Sequence, residues 1–356
     1  MKDNLQAPFP YFGGKSKVAN IVWGALGQPK HYIEPFFGSG AVLLMRPGYN
    51  PGEHLETICD KDGHVANVWR SLQFDPDEVA RWCDWPVSHA DLTARKRVLV
   101  ENGEALLNEL INDPEYYDAK LAGYWIWSAS CWIGSGLTRS NGGHQLGKRP
   151  HLANSGVGVH KLGQIPFVSK WGMGVHQLGK RPHLDNSGVG VHKLGQRDST
   201  ETTGRCVQEP YNDNVYKWFR QLSERLRYVR IVCGDWTRVC GGNWQDNMGT
   251  VGVFFDPPYG VTDRDNVYDT DDYTVARRVR GWAIERGKKE SYRIVIAGYD
   301  LEGEELLKEG WMEYKWETRG GYGNCANGDN SNRKRERLWF SPHCISEERY
   351  KTLSLL

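Results

Sequence analysis

The chain has 356 residues, 39% hydrophobic and 25% charged, which is enough for one large globular domain or two ordinary ones with a substantial core. Its net charge of +1 excludes binding driven by overall charge, so any nucleic-acid affinity must come from local basic patches. No apolar run is long enough to span a bilayer, and the N-terminus MKDNLQAPFPYFGGK lacks the apolar core of a signal peptide, so no membrane partner and a cytoplasmic protein are expected.

In chain order, HYIEPFFGSGAVLL (31–44) reads as a short strand, a glycine turn and the opening of a helix. HLETICD (54–60) reads as a second strand ending in Asp60, and HVANVWRSL follows with helical spacing. Strand, glycine turn, helix and strand with a terminal acid is the layout of a parallel nucleotide-binding unit. Residues 91–132 look helical, ending in the aromatic stretch YWIWSASCWIG. LRYVRIVCGD (226–235), TVGVFFD (250–256), SYRIVIAGY (291–299) and RERLWFSP (335–342) are β-rich, and TVARRVRGWAIERGKKE between two of them is helical in spacing. The two ends of the chain therefore read as halves of one α/β sheet, interrupted by a region of different texture from about 74 to 225.

Within that region HQLGKRPHLANSGVGVHKLGQ at 144–164 returns at 176–196 with one change, Ala153 against Asp185. Two copies fall short of the three or more packed units of a solenoid. Six of the eleven histidines lie here, but their spacing fits no standard metal motif, and no metal is expected. Lys148, Arg149 and Lys161, with Lys180, Arg181 and Lys193 in the second copy, give each repeat a basic, glycine-bearing loop suited to phosphates. A duplicated surface loop without a role explains the same sequence equally well. The eight cysteines (59, 83, 131, 206, 233, 240, 325, 344) form no CxxC pair, which points to a reducing compartment.

The glycine turn at Gly38 and Gly40 lets a backbone approach a ligand, and without a following Lys-Ser pair it disfavours a triphosphate. Asp60, about twenty residues on, suits ribose hydroxyls, so a nucleoside-containing cofactor fits. FFDPPYG (254–260) ends an apolar run in an acid, two prolines and an aromatic. Prolines stop a strand, and they also hold Asp256 and a carbonyl in fixed directions at a strand end. Taken singly, Asp60 reads as a helix N-cap, Lys15 as a surface charge and Trp236 as core packing.

Taken in order, these segments resemble the Dam-like, alpha class of DNA adenine-N6 methyltransferases, which use S-adenosyl-L-methionine. PFPYFGGKSKVA (8–19) is similar to that family's motif X, YIEPFFGSGAVLL to motif I, ICDKDGHVANVW to the motif II region, VCGDW to motif III, FFDPPYG to motif IV, and RERLWFSP to the closing strand. The resemblance covers roughly the first 70 and last 130 residues. It implies a Rossmann-like methyltransferase domain at 1–73 and 226–356, with 74–225 as an inserted, partly helical target-recognition region. It assigns Tyr11, Gly13, Gly14 and Lys15 to the methionine end of the cofactor, with Phe12 an alternative to Tyr11. Glu34, Pro35, Phe36, Gly38 and Gly40 fall to the cofactor pocket, Asp60 to the ribose, and Asp235 with Trp236 to the adenine end. Asp256 and the Pro257 carbonyl would accept the two hydrogens of an exocyclic amine, Pro258 would rigidify the turn, and Tyr259 would stack on a base flipped out of double-stranded DNA. A monomer or weak dimer in a bacterial or phage-infected cell is the implied setting. Methylation of cytosine N4 or an RNA base, or a non-catalytic DNA-binding protein on the same scaffold, are the competing readings.

Overall fold

The computed structural model describes residues 5–9, 15–132, 137–138, 213–258, 274–316 and 335–345. By internal contacts the chain divides into two compact units: Tyr11–Lys61 with Tyr228–Leu356, and Met1–Pro10 with Asp62–Arg227.

The first unit is α/β, built on a mixed seven-stranded sheet among the described residues. Its strands are β1 (His31–Glu34), β2 (Leu55–Asp60), β3 (Val229–Cys233), β4 (Val251–Phe255), β5 (Tyr292–Tyr299), β6 (Met312–Lys315) and β7 (Glu336–Phe340), in the spatial order β3-β2-β1-β4-β5-β7-β6. Neighbours from β3 to β5 are parallel, and β7 runs antiparallel to both β5 and β6. Strand order reverses between β1 and β4, the point at which open α/β sheets form a crevice beyond their carboxyl ends.

Burial explains the strand sequences. β1 and β4 lie centrally and are buried along their whole length, so VGVFF carries no polar alternation. Its glycine is imposed by packing, since a Cβ on Gly252 would sit 2.6 Å from the Pro29 ring. β6 is exposed throughout and pairs on one side only; its MEYK sequence has no apolar signature, and the sequence reading misses it. One face of the sheet packs Ile33, Val253, Phe255, Ile296 and Trp339 with Val239 and Cys240 of α8 (Thr237–Cys240) and with Val275, Val279 and Ala283 of α9 (Val275–Gly287). On β1, Tyr32 leads to α1 (Ala19–Leu26): its ring centroid lies 4.6 Å from that of Trp23, whose Nε1 donates to the Val42 carbonyl at 2.7 Å.

The second unit is helical among its described residues: α3 (Gly63–Phe74), α4 (Pro76–Cys83), α5 (His89–Asn112), α6 (Ala119–Cys131) and α7 (Asp213–Leu226). Asp62, Asp75, Ser88 and Asp118 cap α3, α4, α5 and α6 by accepting backbone N–H bonds. The stretch that reads as continuous helix from 91 to 132 is broken at Pro114, and Arg70 holds the break by donating to the carbonyls of Leu110, Pro114 and Tyr116. By packing, α3 belongs to this unit, although the sequence reading sets 1–73 with the sheet. Trp69 of α3 is fully buried, and Phe9 packs on both Trp69 and Trp125, at centroid distances of 5.8 and 4.7 Å. Among the described residues no helix is long and apolar enough to cross a membrane.

At the N-terminal edge of the sheet, Arg46 and Glu56 form a fully buried ion pair at 3.1 Å. Beneath them His31 is buried, its Nε2 2.9 Å from Thr57 Oγ1. Burial, with Arg230 and Arg46 adding to it, pushes the His31 imidazole from its ordinary 6.5 down to about 4. Between those values the unfolded chain binds the proton and the folded chain does not. The His31 contribution is therefore complete above pH 6.5 and lost as pH falls through about 4, roughly 3 kcal/mol in all. Urea denaturation from pH 7 to 4 should show wild type losing about that much more stability than His31→Gln; parallel curves would remove His31 as the cause.

Candidate active site

Side chains alternate along a strand, so the residues flanking a core position face the other way. Ile33, Phe255, Ile296 and Trp339 share one apolar cluster. Tyr32 and Glu34 on β1, Asp256 just past β4, Tyr299 on β5 and Glu336 on β7 therefore belong to the opposite face. Lys15 joins them there: its Nζ lies 3.0 Å from Asp256 Oδ2 and 4.0 Å from Glu336 Oε2, and its side chain is only 5% exposed.

Burial alone pulls the Lys15 ammonium toward its neutral form, but Asp256 and Glu336 outweigh this and hold its pKa above the ordinary value. The same desolvation raises Glu336, with Lys15 opposing and Asp256 reinforcing. Glu34 is pushed well above the usual carboxylate range by burial; the Tyr32 hydroxyl, donating to Glu34 Oε2 at 2.8 Å, works against the shift, and Asp256 adds to it.

The glycine turn is built as its sequence requires. Gly38 and Gly40 have φ of 48° and 66°, and a Cβ on Gly40 would lie 2.5 Å from the Phe37 ring. Two bonds tie the turn to β2: Phe37 N donates to the Cys59 carbonyl at 3.0 Å and Gly38 N to Asp60 Oδ2 at 2.9 Å. The helix that follows, α2 (Ala41–Leu44), is a single turn. Asp60 is not the cap of α3, because Asp62 performs that task two residues later. Pro35 is buried, while the Phe36 ring packs against the apolar cluster, 6.3 Å from Phe255.

Beyond β3, Asp235 Oδ1 accepts from Thr237 N at 3.1 Å and Thr237 Oγ1 at 2.6 Å. Trp236 is 5% exposed and sits edge-on to Phe255 and Trp282, which is core packing; its Nε1 is buried with no hydrogen-bond partner among the described residues. The turn thus joins Glu34, Asp60 and the two glycines along the carboxyl ends of β1 and β2, beside the Lys15–Asp256 pair. Pro257 is buried and Pro258 half-buried. Tyr11, Phe12, Gly13, Gly14 and Tyr259, and the repeat residues Lys148, Arg149, Lys161, Lys180, Arg181 and Lys193, lie outside the described residues.

Three members of the site escape the sequence reading. Tyr32 stands two residues before Glu34, a spacing that puts both on one strand face and so carries a usable signal. Tyr299 and Glu336 pair in register across β5 and β7, and only the sheet topology brings them to Lys15. Compared with protein-family models and with curated proteins, the chain matches none.

Removing the cation from this cluster leaves two carboxylates facing each other with little water. Lys15→Met should cost about 3 kcal/mol of stability at pH 7, the low end for a broken buried pair because Asp256 is 23% exposed. The deficit should narrow as pH falls and Glu336 takes a proton. Urea midpoints at pH 7.5 and 5 test this; a variant as stable as wild type would show that the pair carries no folding energy.

Proposed function

We propose that the chain is an S-adenosyl-L-methionine-dependent DNA adenine-N6 methyltransferase with a Rossmann-like catalytic domain. The observation that carries this reading is the adjacency of β1 and β4 at the reversal of strand order, with the glycine turn after one and Asp256-Pro257-Pro258 after the other. The mixed sheet is compatible with the fold that the family resemblance implies.

The residues present suit the cofactor by their chemistry. Glu34, Asp60 and Asp235 stand at or just beyond the carboxyl ends of the neighbouring strands β1, β2 and β3. A row of carboxyl acceptors matches a ligand whose outer polar groups are an ammonium, ribose hydroxyls and an aromatic amine. These three would hold S-adenosyl-L-methionine, with the Gly38–Gly40 backbone allowing close approach. Bound there, the cofactor supplies an electrophilic methyl group on a sulfonium. Trp236 contributes to that end through packing, and Lys15, which the resemblance sets at the methionine end, also serves Asp256.

The chain's own task is to prepare the nucleophile. An exocyclic amine of a purine delocalises its lone pair into the ring. Acceptors aimed at both amine hydrogens favour the pyramidal form, in which the lone pair is directed outward. Asp256 supplies one acceptor and the Pro257 carbonyl the other. Pro257 has a fixed φ, and Pro258 restricts the ψ of the residue before it, so two successive prolines aim that carbonyl with little freedom. Holding the amine in this geometry lowers the barrier through orientation and preorganised electrostatics. A base in a duplex must be flipped out to reach the site, at a cost of a few kcal/mol. The helical unit takes the target-recognition role by its position in the chain, and the DNA partner follows from the same reading.

Purified full-length protein, given methyl-labelled cofactor and offered duplex DNA, RNA and protein, should label DNA as N6-methyladenine. Asp256→Ala should reduce transfer by ~10³-fold and leave affinity for duplex DNA largely intact. Label on cytosine, RNA or protein would overturn the adenine assignment, and full activity in the Ala variant would overturn the role of Asp256.

A further inference from the structure

The face that carries Asp256 and Glu34 carries a further acid, Glu336, whose carboxylate is only loosely satisfied by the fold. The Glu336 side chain is 16% exposed, and its Oε2 is buried without a hydrogen bond among the described residues; its nearest cation is Lys15 at 4.0 Å. A buried carboxylate oxygen lacking a donor costs stability, and the distant Lys15 ammonium offsets that cost only in part. The flanking cations engage other acids: Arg335 and Arg337 both turn to Asp300, at 3.2 and 4.0 Å, and Arg337 meets Glu313 at 3.1 Å. Arg337 also donates to the Glu336 backbone carbonyl, at 2.9 Å. From the neighbouring elements, the titratable groups on this face are Lys15, Asp256 and Tyr299, with Glu34 and Tyr32 on β1 beyond Asp256.

Methylation of an amine creates a proton that must leave. As the nitrogen lone pair forms the new N–C bond, the C–S electron pair stays with sulfur and the nitrogen becomes a cation with one hydrogen too many. Asp256 accepts a hydrogen bond from that amine, but it is already paired with the Lys15 ammonium. We infer that Glu336 is the terminal acceptor of a proton relay running from the methylated amine through Asp256 and Lys15. This inference rests on the methyltransferase reading of the same site.

The relay balances without another reactant. The N–H bond breaks and an O–H bond forms on Asp256; that proton passes to Lys15 Nζ as Lys15 gives one of its own to Glu336 Oε2. Asp256 and Lys15 end as they began, and Glu336 ends as a neutral acid that releases its proton through its exposed edge. The 4.0 Å gap exceeds a hydrogen bond, so Lys15 must swing between its two acids, which a flexible stem with three rotatable donors permits. Desolvation, which raises the Glu336 pKa, suits a carboxylate that must hold a proton briefly. Glu336 acts through Lys15 and does not touch the amine, so it is a positioning and relay residue.

The test is single-turnover methyl transfer to duplex DNA by the full chain across pH 5 to 9, with cofactor affinity measured by calorimetry. Glu336→Gln keeps the shape and removes the acceptor. Its rate at pH 7 should fall about tenfold with cofactor affinity unchanged. The acid limb of the wild-type profile should disappear, and Glu336→Asp should restore it. A Gln variant with wild-type rate and profile, or a rate loss matched by lost cofactor affinity, would overturn the relay. If the Gln variant does not fold, ¹³C NMR of the Glu336 carboxyl in the wild-type chain decides: titration together with the acid limb supports the relay, and separate titration overturns it. A wild-type chain that methylates nothing overturns the methyltransferase reading and the relay together, whereas an active wild type with an unchanged Gln variant overturns the relay alone.

Discussion

One buried ammonium sets the character of the sheet's carboxyl edge. Lys15 lies between two acids, Asp256 just past β4 and Glu336 on β7, which overcome the desolvation that would otherwise neutralise it. This arrangement follows from the pleat. Once Ile33, Phe255, Ile296 and Trp339 are committed to the apolar cluster, Glu34, Asp256 and Glu336 are delivered to the other face, and parallel strands bring the first two to one end. Asp256 and Glu336 with no cation between them would repel one another in a place where water screens poorly. The loop before α1 therefore has to return a lysine to this face.

Much of this edge is legible in the sequence, because the signals are local. A continuous apolar run ending in Asp-Pro-Pro reads as a buried strand stopped by prolines, and β4 is that strand. Two glycines after HYIE read as a tight turn, and both take positive φ. What resists reading depends on partners distant in the chain. Lys15 looks like a surface charge until its acids are found on β4 and β7. Glu336 sits in RERLWF, where its alternation with apolar residues resembles an ordinary exposed edge, and only the insertion of β7 between β5 and β6 turns it inward. The helix after Asp60 has the spacing of a βαβ crossover, yet its apolar side, with Val65, Trp69 and Leu72, is consumed by the helical unit. Strand-to-helix adjacency in sequence does not decide which core a helix joins.

The acids of this edge also show how one residue type is given several tasks. Burial favours the neutral form of Glu34, against the Tyr32 hydroxyl that donates to it. Asp60 accepts a backbone N–H and braces the glycine turn, and Asp235 is engaged by Thr237 in the manner of a cap. Each of these carboxyls accepts a hydrogen bond from a backbone N–H or from a side chain two residues away. Asp256 and Glu336 differ, because the cation they share is on a flexible stem and belongs to neither strand. A proton can be handed along a chain only where a partner is able to change hands. Among the acids at this edge, the described geometry gives Asp256 and Glu336 a shared cation, whereas Glu34, Asp60 and Asp235 are held by hydrogen bonds from their own strand or a turn.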